Sequence, residues 1–572
     1  MALNNSILDN TQLHDEIKSD RQWWKEAVVY QIYPRSFKDS NGDGIGDLRG
    51  VISKLDYIES LGIDAVWLNP IYPSPNHDNG YDVSDYQNIS AEYGTMTDFD
   101  ELLNGLHNRN IRLIMDLVVN HSSYEHEWFR QSRSSRDNPY RDYYHWWNAE
   151  KGKPAPRFSY FDENNNAWTY DETTNAYYLH YFSKYQPDLN WSNEKLRKDI
   201  YNVMRFWLDK GVDGFRLDAF QFIAKDTTFP LLPDGYEKQI IQYYGNGPHL
   251  HDYLQEMNRE VLSHYNIVTV AEGAGSSPQE ALQFVDPSRK ELNMAYHFEG
   301  MDIGFLHNGS RRIIDPKGYD LLQFKNVYTR WDEGLANKGW ATIYLGNHDQ
   351  PRMVSRWGND TDEWRTISSK LLTTFIFTMR ATPYYYYGDE IGMTNIRFDN
   401  IEDYNDLDTI YKYNHLQKTG GDTKEFLEEQ KLLARDNSRT PMQWNNEENA
   451  GFTSGWPWLK MNENYKRVNV VAQQKDANSC LAYFKKMIAV RKRNPVLIYG
   501  NYTLIDKENL SVYSYTRELG KVNFLVMLNF TNKMAKVNTD ANLSSAKIII
   551  SNYDRIMADV NLQPYEAVVY EL

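Results

Sequence analysis

Cysteine is almost absent from this chain of 572 residues. Cys480 stands alone, so no intrachain disulfide can staple the fold. That fits a reducing compartment. No run of eighteen apolar residues occurs, so no transmembrane helix is expected. The first residues, Met-Ala-Leu-Asn-Asn-Ser, carry neither a basic n-region nor an apolar h-region, and no signal peptide is read there. The expected compartment is the cytoplasm, or the periplasm should a leader have been removed. Basic charge is also short. Lys and Arg number 62 against 78 Asp and Glu, a formal net charge of −16. That argues against nucleic acid or an anionic membrane as partner, and says little about a neutral ligand.

What is present points elsewhere. Aromatic residues make up 14% of the chain, with 43 Tyr and 16 Trp. Such rings fill cores and also stack on sugars, so the load is only a hint. The length calls for two or three domains.

Residues 1–20 are polar and aperiodic, a loose arm or a short helix. Order begins at Trp23-Trp24, and Ala27–Tyr33 reads as a first strand stopped by Pro34. Helix-then-strand units follow. The residues from Gly50 to Leu61 have helical spacing, and Gly62–Leu68 is a strand. Thr97 is expected to cap a helix over 98–109, with Leu102, Leu103 and Leu106 on one face. Further strands are read at Ile111–Val119, Asp213–Asp218, Ile267–Glu272, Met294–Phe298, Ala341–Leu345 and Pro383–Tyr387. Eight β-then-α units predict an α/β fold, a (β/α)8 TIM barrel.

The spacing is uneven. About ninety residues separate strands three and four, too many for one crossover helix. The expected organisation is a barrel over 1–120 and 188–495, with an inserted subdomain over 121–187 after strand three. A second insertion, about 393–460, follows strand eight. Residues 496–572 alternate as short strands with turns and should form a C-terminal antiparallel β-sandwich.

Asp39-Ser-Asn-Gly-Asp-Gly-Ile-Gly-Asp47 places Asp39, Asn41, Asp43 and Asp47 at alternating positions, with the Ile45 carbonyl between them. Hard cations take several oxygens, and this loop resembles an EF-hand loop. The bidentate Glu of an EF-hand is replaced by Gly50, and a strand precedes the loop. One structural Ca2+ or Mg2+ is expected here; a solvated turn is the alternative. No organic cofactor is expected.

In a barrel of this kind the chemistry sits at the C-terminal strand ends. Those ends read Asp78-Asn-Gly-Tyr-Asp82 after strand two, and Asp116 with Asn120-His121 after strand three. Strand four ends in Arg216 and Asp218, strand five in Glu272, strand seven in Asn347-His348-Asp349. Alone, Arg216 and Asp218 could be a buried salt bridge. Convergence from five strands favours a functional site. Neighbouring strands lie about 4.8 Å apart, so Asp218 and Glu272 could sit about 5–5.5 Å apart, as in a retaining glycosidase. Arg216 should keep Asp218 ionised. Glu272, in Val-Thr-Val-Ala-Glu-Gly, has no cation beside it in sequence, and burial should raise its pKa.

These residues carry a resemblance. DLVVNH (116–121), GFRLD (214–218), Ala271-Glu272-Gly273 and NHD (347–349) are similar, in order, to the four signature regions of the α-amylase superfamily, glycoside hydrolase family thirteen. Gln186-Pro-Asp-Leu-Asn190 resembles the marker of its oligo-1,6-glucosidase, α-glucosidase and sucrose isomerase branch. The likeness runs from about residue 21 to the C-terminus and includes Arg439-Thr-Pro-Met-Gln-Trp444.

The resemblance implies Asp218 as nucleophile, Glu272 as general acid/base and Asp349 as transition-state stabiliser. It implies Asp78, His121, Arg216, His348 and Arg439 around a bound glucose, Tyr81 stacked on it, and Phe182 and Gln186 lining the same pocket. It also implies the single-cation loop of this branch. Small-residue Ala219 after the nucleophile goes, in similar enzymes, with α-1,4 bonds or broader use, whereas Val goes with α-1,6. The expected activity is that of a retaining exo-acting α-glucosidase on maltose, malto-oligosaccharides or sucrose, α-1,4 favoured over α-1,6. The alternatives are an oligo-1,6-glucosidase, or a transglycosylase or sucrose isomerase. Gly309–Lys317 lacks the Arg-Leu-Asp-Arg-Asp-like order of many sucrose isomerases. A noncatalytic protein like the heavy chains of amino-acid transporters is the remote alternative; it would need an anchor and lost carboxylates. The expected partners are small α-glucosides, with the chain a monomer or weak dimer.

Overall fold

In the computed structural model, residues 21–162, 164–308, 311–315, 318–336 and 338–572 are described. The arm 1–20 and part of Gly309–Lys317 lie outside them. Eight parallel strands form the centre: β1 (Val29–Ile32), β2 (Ala65–Leu68), β3 (Arg112–Val118), β4 (Gly214–Asp218), β5 (Val268–Gly273), β6 (Met294–His297), β7 (Thr342–Ile343) and β8 (Thr382–Tyr386). Their order is β7-β8-β1-β2-β3-β4-β5-β6. An isolated parallel bridge from Ala295 to Ala341 joins the two ends and closes the ring.

The reason for a barrel lies in the strand residues. β1, β2, β4, β6 and β8 are buried at every position. Strands apolar on both faces need helices outside and packed side chains within. The helix Glu194–Asp209 supplies such cover. Asn193 caps its first N–H groups, and Leu196, Ile200, Val203, Met204 and Trp207 face inward. The helix after β2 begins earlier than its sequence suggests. It spans Met96–His107, and Thr95 rather than Thr97 is the cap. Thr95 accepts from the Asp98 N–H while the Asp98 carboxylate accepts from the Thr95 N–H, a reciprocal pair that fixes this start.

Between β3 and the helix Glu194–Asp209, a three-stranded antiparallel sheet (Trp146–Asn148, Ala176–Leu179, Trp168–Asp171) stands apart from the barrel. Bridges His121–Asp188 and Tyr144–Leu189 tie its entry and exit together. After β8 come the helices Leu407–Thr419, Thr423–Leu433 and Asp436–Arg439. Phe398, Tyr404, Ala434 and Leu459 give this insertion a small core of its own.

The C-terminal part is a five-stranded antiparallel sheet with a two-stranded ribbon, Ala535–Lys536 with Asn561–Leu562. Val512, Leu525, Met527 and Val568 pack with Val537 and Leu562 of the ribbon on one side. Tyr513 and Tyr515 join the barrel's core on the other. Arg517 fastens that contact. It is fully buried and donates to the carbonyls of Thr378, Leu497 and Gly500. Those carbonyls end a helix or follow it, where acceptors lack internal partners.

Arg517→Met should therefore leave the buried carbonyls of Thr378 and Gly500 unsatisfied, while Leu497 keeps its Arg491 donor. Each costs about 1–3 kcal/mol when orphaned, so the variant should melt several degrees below wild type. Calorimetry checks this, and an unchanged Tm would count against Arg517 as the fastening.

Candidate active site

One guanidinium organises the strand ends. Register sets Asp116 beside Arg216 and Val118 beside Asp218 across β3 and β4, and Leu217 beside Ala271 across β4 and β5. Residues two apart share a face, so Arg216 reaches toward its own strand end and both neighbours. It donates to Asp116 at 2.8 Å, to Asp218 at 2.6 Å and to Glu272 Oε1. Arg216 is 1% exposed.

This corrects the expectation that Glu272 has no cation beside it. Sequence adjacency missed the contact, because the cation comes from the neighbouring strand. The direction of the Glu272 shift survives. Burial raises it to about 8, against the pull of Arg216 and helped by the Asp218 charge. Asp218 differs from expectation as well. Burial raises its carboxyl above the usual value, and Arg216 only opposes that. With both acids beside one cation they titrate as a pair, and burial pushes each carboxyl upward.

Asp349 is the persistent anion. Burial opposes its charge, and His348, Arg435 and Arg439 outweigh burial, holding its carboxyl well below the usual range. Arg439 donates to Asp349 Oδ1 at 2.9 Å and Arg435 at 3.2 Å. His348 Nδ1 accepts from the Gln31 amide at 2.9 Å, which leaves the proton on Nε2. Nε2 lies 2.7 Å from the Tyr81 hydroxyl and 3.1 Å from Asp349 Oδ2. Burial lowers the His348 pKa to about 3, so the ring is neutral. Tyr81 stacks on it with centroids 5.4 Å apart.

Asp218, Glu272 and Asp349 open into a cavity of about 750 Å3, together with Asp78, Tyr81, His121, Phe182 and Ala219. Gln186, Arg216, His348 and Arg439 do not line it. They stand behind the lining and hold it. Gln186 donates to Asp78 Oδ2 at 3.0 Å and lies 3.2 Å from His121 Nε2. Arg439 donates to the His348 carbonyl as well as to Asp349. Burial raises Asp78 to about 7, opposed by Arg435 and Arg439. It lowers His121 to about 3.

The sequence reading missed Arg435, which lines the cavity where Arg439 was expected. It also pairs with Asp406 at 2.5 Å and lies 5.1 Å from the Phe161 ring. A helical offset of four residues before Arg439 was the available signal. Tyr160, Phe161, Gln221, Phe222, Ala274 and Phe298 were missed too. Tyr160 and Phe182 stack at 5.4 Å, and Phe222 meets Phe182 edge-on at 5.9 Å. Ala219 ends the strand in a left-handed conformation, φ 47° and ψ 26°, and its N–H donates to Glu272 Oε2 at 2.7 Å.

The acidic loop lies apart from this cavity's lining. Asp39 accepts from the N–H groups of Asn41, Gly42 and Gly44 and from the Thr453 hydroxyl. Burial opposes its charge, and these bonds outweigh burial and lower its pKa. Asn41 accepts from the Asp43 N–H, and Asp43 from the Ile45 N–H. Asp47 caps the helix Leu48–Ile52 through the Gly50 N–H. The donor set is all oxygen and fits a hard cation in type. Its carboxylates are already engaged, and no three His, Cys, Asp or Glu side chains converge as a metal centre among the described residues.

Comparison with known proteins agrees with this geometry. Residues 31–500 match the model of the α-amylase catalytic domain. The chain is 50% identical over 567 residues to an oligo-1,6-glucosidase of Parageobacillus thermoglucosidasius, covering 97% of this chain and 99% of the relative. It is 44% identical over 559 residues to an α-glucosidase of Pediococcus pentosaceus, covering 96% and 99%. A solved isomaltulose synthase from Protaminobacter rubrum superposes with a TM-score of 0.92 at 46% identity, covering 96% and 99%. The matched region holds the barrel, its insertions and all three convergent acids, and the chain belongs to the α-amylase family, glycoside hydrolase family thirteen.

Proposed function

We propose that the chain is a retaining, exo-acting α-glucosidase that releases glucose from the non-reducing end of short α-glucosides. The observation that carries this is the pairing of Asp218 and Glu272 on adjacent strands through the single Arg216 guanidinium, at the floor of an aromatic-walled pocket. In this reading Asp218 attacks the anomeric carbon while Glu272 gives its proton to the departing oxygen. A glycosyl ester forms on Asp218. Glu272, now ionised, takes a proton from water as that water attacks the ester, and both carboxyls return to their starting states. Asp349, charged throughout, faces the developing positive charge on the sugar.

The linkage preference rests on Ala219, whose methyl group borders the pocket. It leaves room for an α-1,4-linked aglycone. The name of the relative from Parageobacillus thermoglucosidasius favours a second reading, oligo-1,6-glucosidase. The likeness to an isomaltulose synthase favours capture of the glycosyl ester by a sugar hydroxyl instead of water. We further propose one hard cation, Ca2+ or Mg2+, on the loop of Asp39, Asn41, Asp43, Ile45 and Asp47. The all-oxygen donor set supports it, in competition with the hydrogen bonds on Asp39.

Asp218→Asn should fold and lose on the order of 10³-fold or more in kcat, since no ester can form. Turnover near the wild-type rate would overturn the mechanism. For the acid, kcat/KM should fall as pH rises through about 8, because Glu272 is raised to that value and must be protonated at the first step. In Glu272→Gln, assayed with a nitrophenyl α-glucoside whose leaving group needs no proton, that alkaline limb should vanish. A limb that persists unchanged assigns the titration to another group.

Ala219→Val should lower the ratio of kcat/KM for maltose over isomaltose by roughly ten-fold. Valine is strained at a positive φ and will cost stability; a ratio taken on one preparation cancels that loss. A ratio that stays or rises removes Ala219 as the basis for the α-1,4 preference and leaves the linkage open. Chelation should lower Tm more than initial rate if the loop holds a structural cation. Identical Tm with chelator, Ca2+ and Mg2+ would reduce the loop to a turn.

A further inference from the structure

Two segments far apart in sequence meet twice at the pocket's edge. Asp78 and Gln186 meet inside, with the amide donating to the carboxylate at 3.0 Å. Their preceding neighbours, His77 and Tyr185, meet outside. Their rings stack face to face, centroids 3.7 Å apart and planes within 8°. Asp78 and Gln186 are buried, and His77 and Tyr185 are half-buried. Each segment thus presents one residue inward and the next one outward to the same counterpart.

The loop that carries Asp78 needs such support. Asn76, Asn79 and Gly80 all have positive φ, at 61°, 47° and 98°. A non-glycine residue held there persists only when its surroundings over-determine it. From within, Asp82 accepts from the N–H groups of His77 and Asp78. From across the pocket edge come the Tyr185 ring, the Gln186 amide and, at 3.7 Å from the Asp78 carboxylate, the Arg435 guanidinium. Tyr185 is itself anchored, its carbonyl accepting from the Tyr124 N–H at 2.8 Å.

We propose that the His77–Tyr185 stack is a positioning strut, which fixes the loop after β2 against the end of the inserted subdomain and so sets the place of Asp78 in the sugar pocket. The proposal rests on the glucosidase reading for its kinetic consequence. The strut touches no reacting atom. On that reading Asp78, which lines the cavity, holds the sugar without taking part in bond cleavage, so loosening it should raise KM more than it lowers kcat.

The test is a double-mutant cycle with His77→Ala, Tyr185→Ala and the pair, alongside His77→Phe and Tyr185→Phe, which keep a ring. Each alanine variant should raise KM for maltose by roughly five-fold, with kcat within about two-fold. The pair should be no worse than the worse single change, because one stack is lost in each case. The phenylalanine variants should stay close to wild type. Amide hydrogen exchange over residues 74–82 and 183–187 reads the strut without turnover, and should quicken in the alanine variants only. Unchanged exchange in both alanine variants, or strictly additive effects in the pair, would overturn the strut. Wild-type enzyme with no turnover of any α-glucoside would instead sink the function reading, with the exchange data still deciding the strut.

Discussion

The site depends on one buried cation shared among three carboxylates. Arg216 and Asp116 are out of water, and Asp218 and Glu272 beside them expose only an edge, 12% of each side chain, toward the cavity. Two ionised acids side by side in such a place would repel. One cation between them holds them near each other, and burial keeps a proton on Glu272. Desolvation and a shared guanidinium thus separate the roles of two similar groups, which isolated side chains in water could not do. The same arrangement makes the site costly. Removing Arg216 would strand three buried carboxyls, so its contribution to folding and to chemistry cannot be divided.

The pocket wall has a different physical basis. Ala219 and Phe222, from the segment after β4, pack with Ala167, Trp168, Leu179 and Tyr181 of the inserted subdomain. This cluster is separate from the barrel's core. Tyr181 and Tyr244 stack at 3.9 Å, and the Tyr244 hydroxyl donates to the Phe158 carbonyl. This side of the cavity's lining is therefore placed partly by a core outside the barrel. Selectivity can change by repacking there while Arg216 and its acids stay in place.

Much of this was legible in the sequence. The eight strands were readable because each is a short apolar run between turn signals, and the acids because they end those runs. The cap at Thr95 was misplaced by two residues, since Thr97 offers the same local chemistry and only the reciprocal bond with Asp98 decides between them. Arg435 was overlooked because it precedes a helix of only one turn, Asp436–Arg439, and its partners Asp78 and Asp349 lie far away in the sequence. The environment of Glu272 was misread because its cation is contributed by another strand.

The sequence by itself determined the fold class and the identity of the convergent acids, because strand patterning and strand-end polarity are local properties, and its four short motifs carried the resemblance to the family. Tertiary structure alone decided which of those groups face the cavity and which stand behind it. It assigned Arg435 to the lining and Arg439 to support, gave Glu272 its cation and put Ala219 at a positive φ. Each of these follows from contacts between segments distant in the chain, and from burial, which no residue carries in its own chemistry.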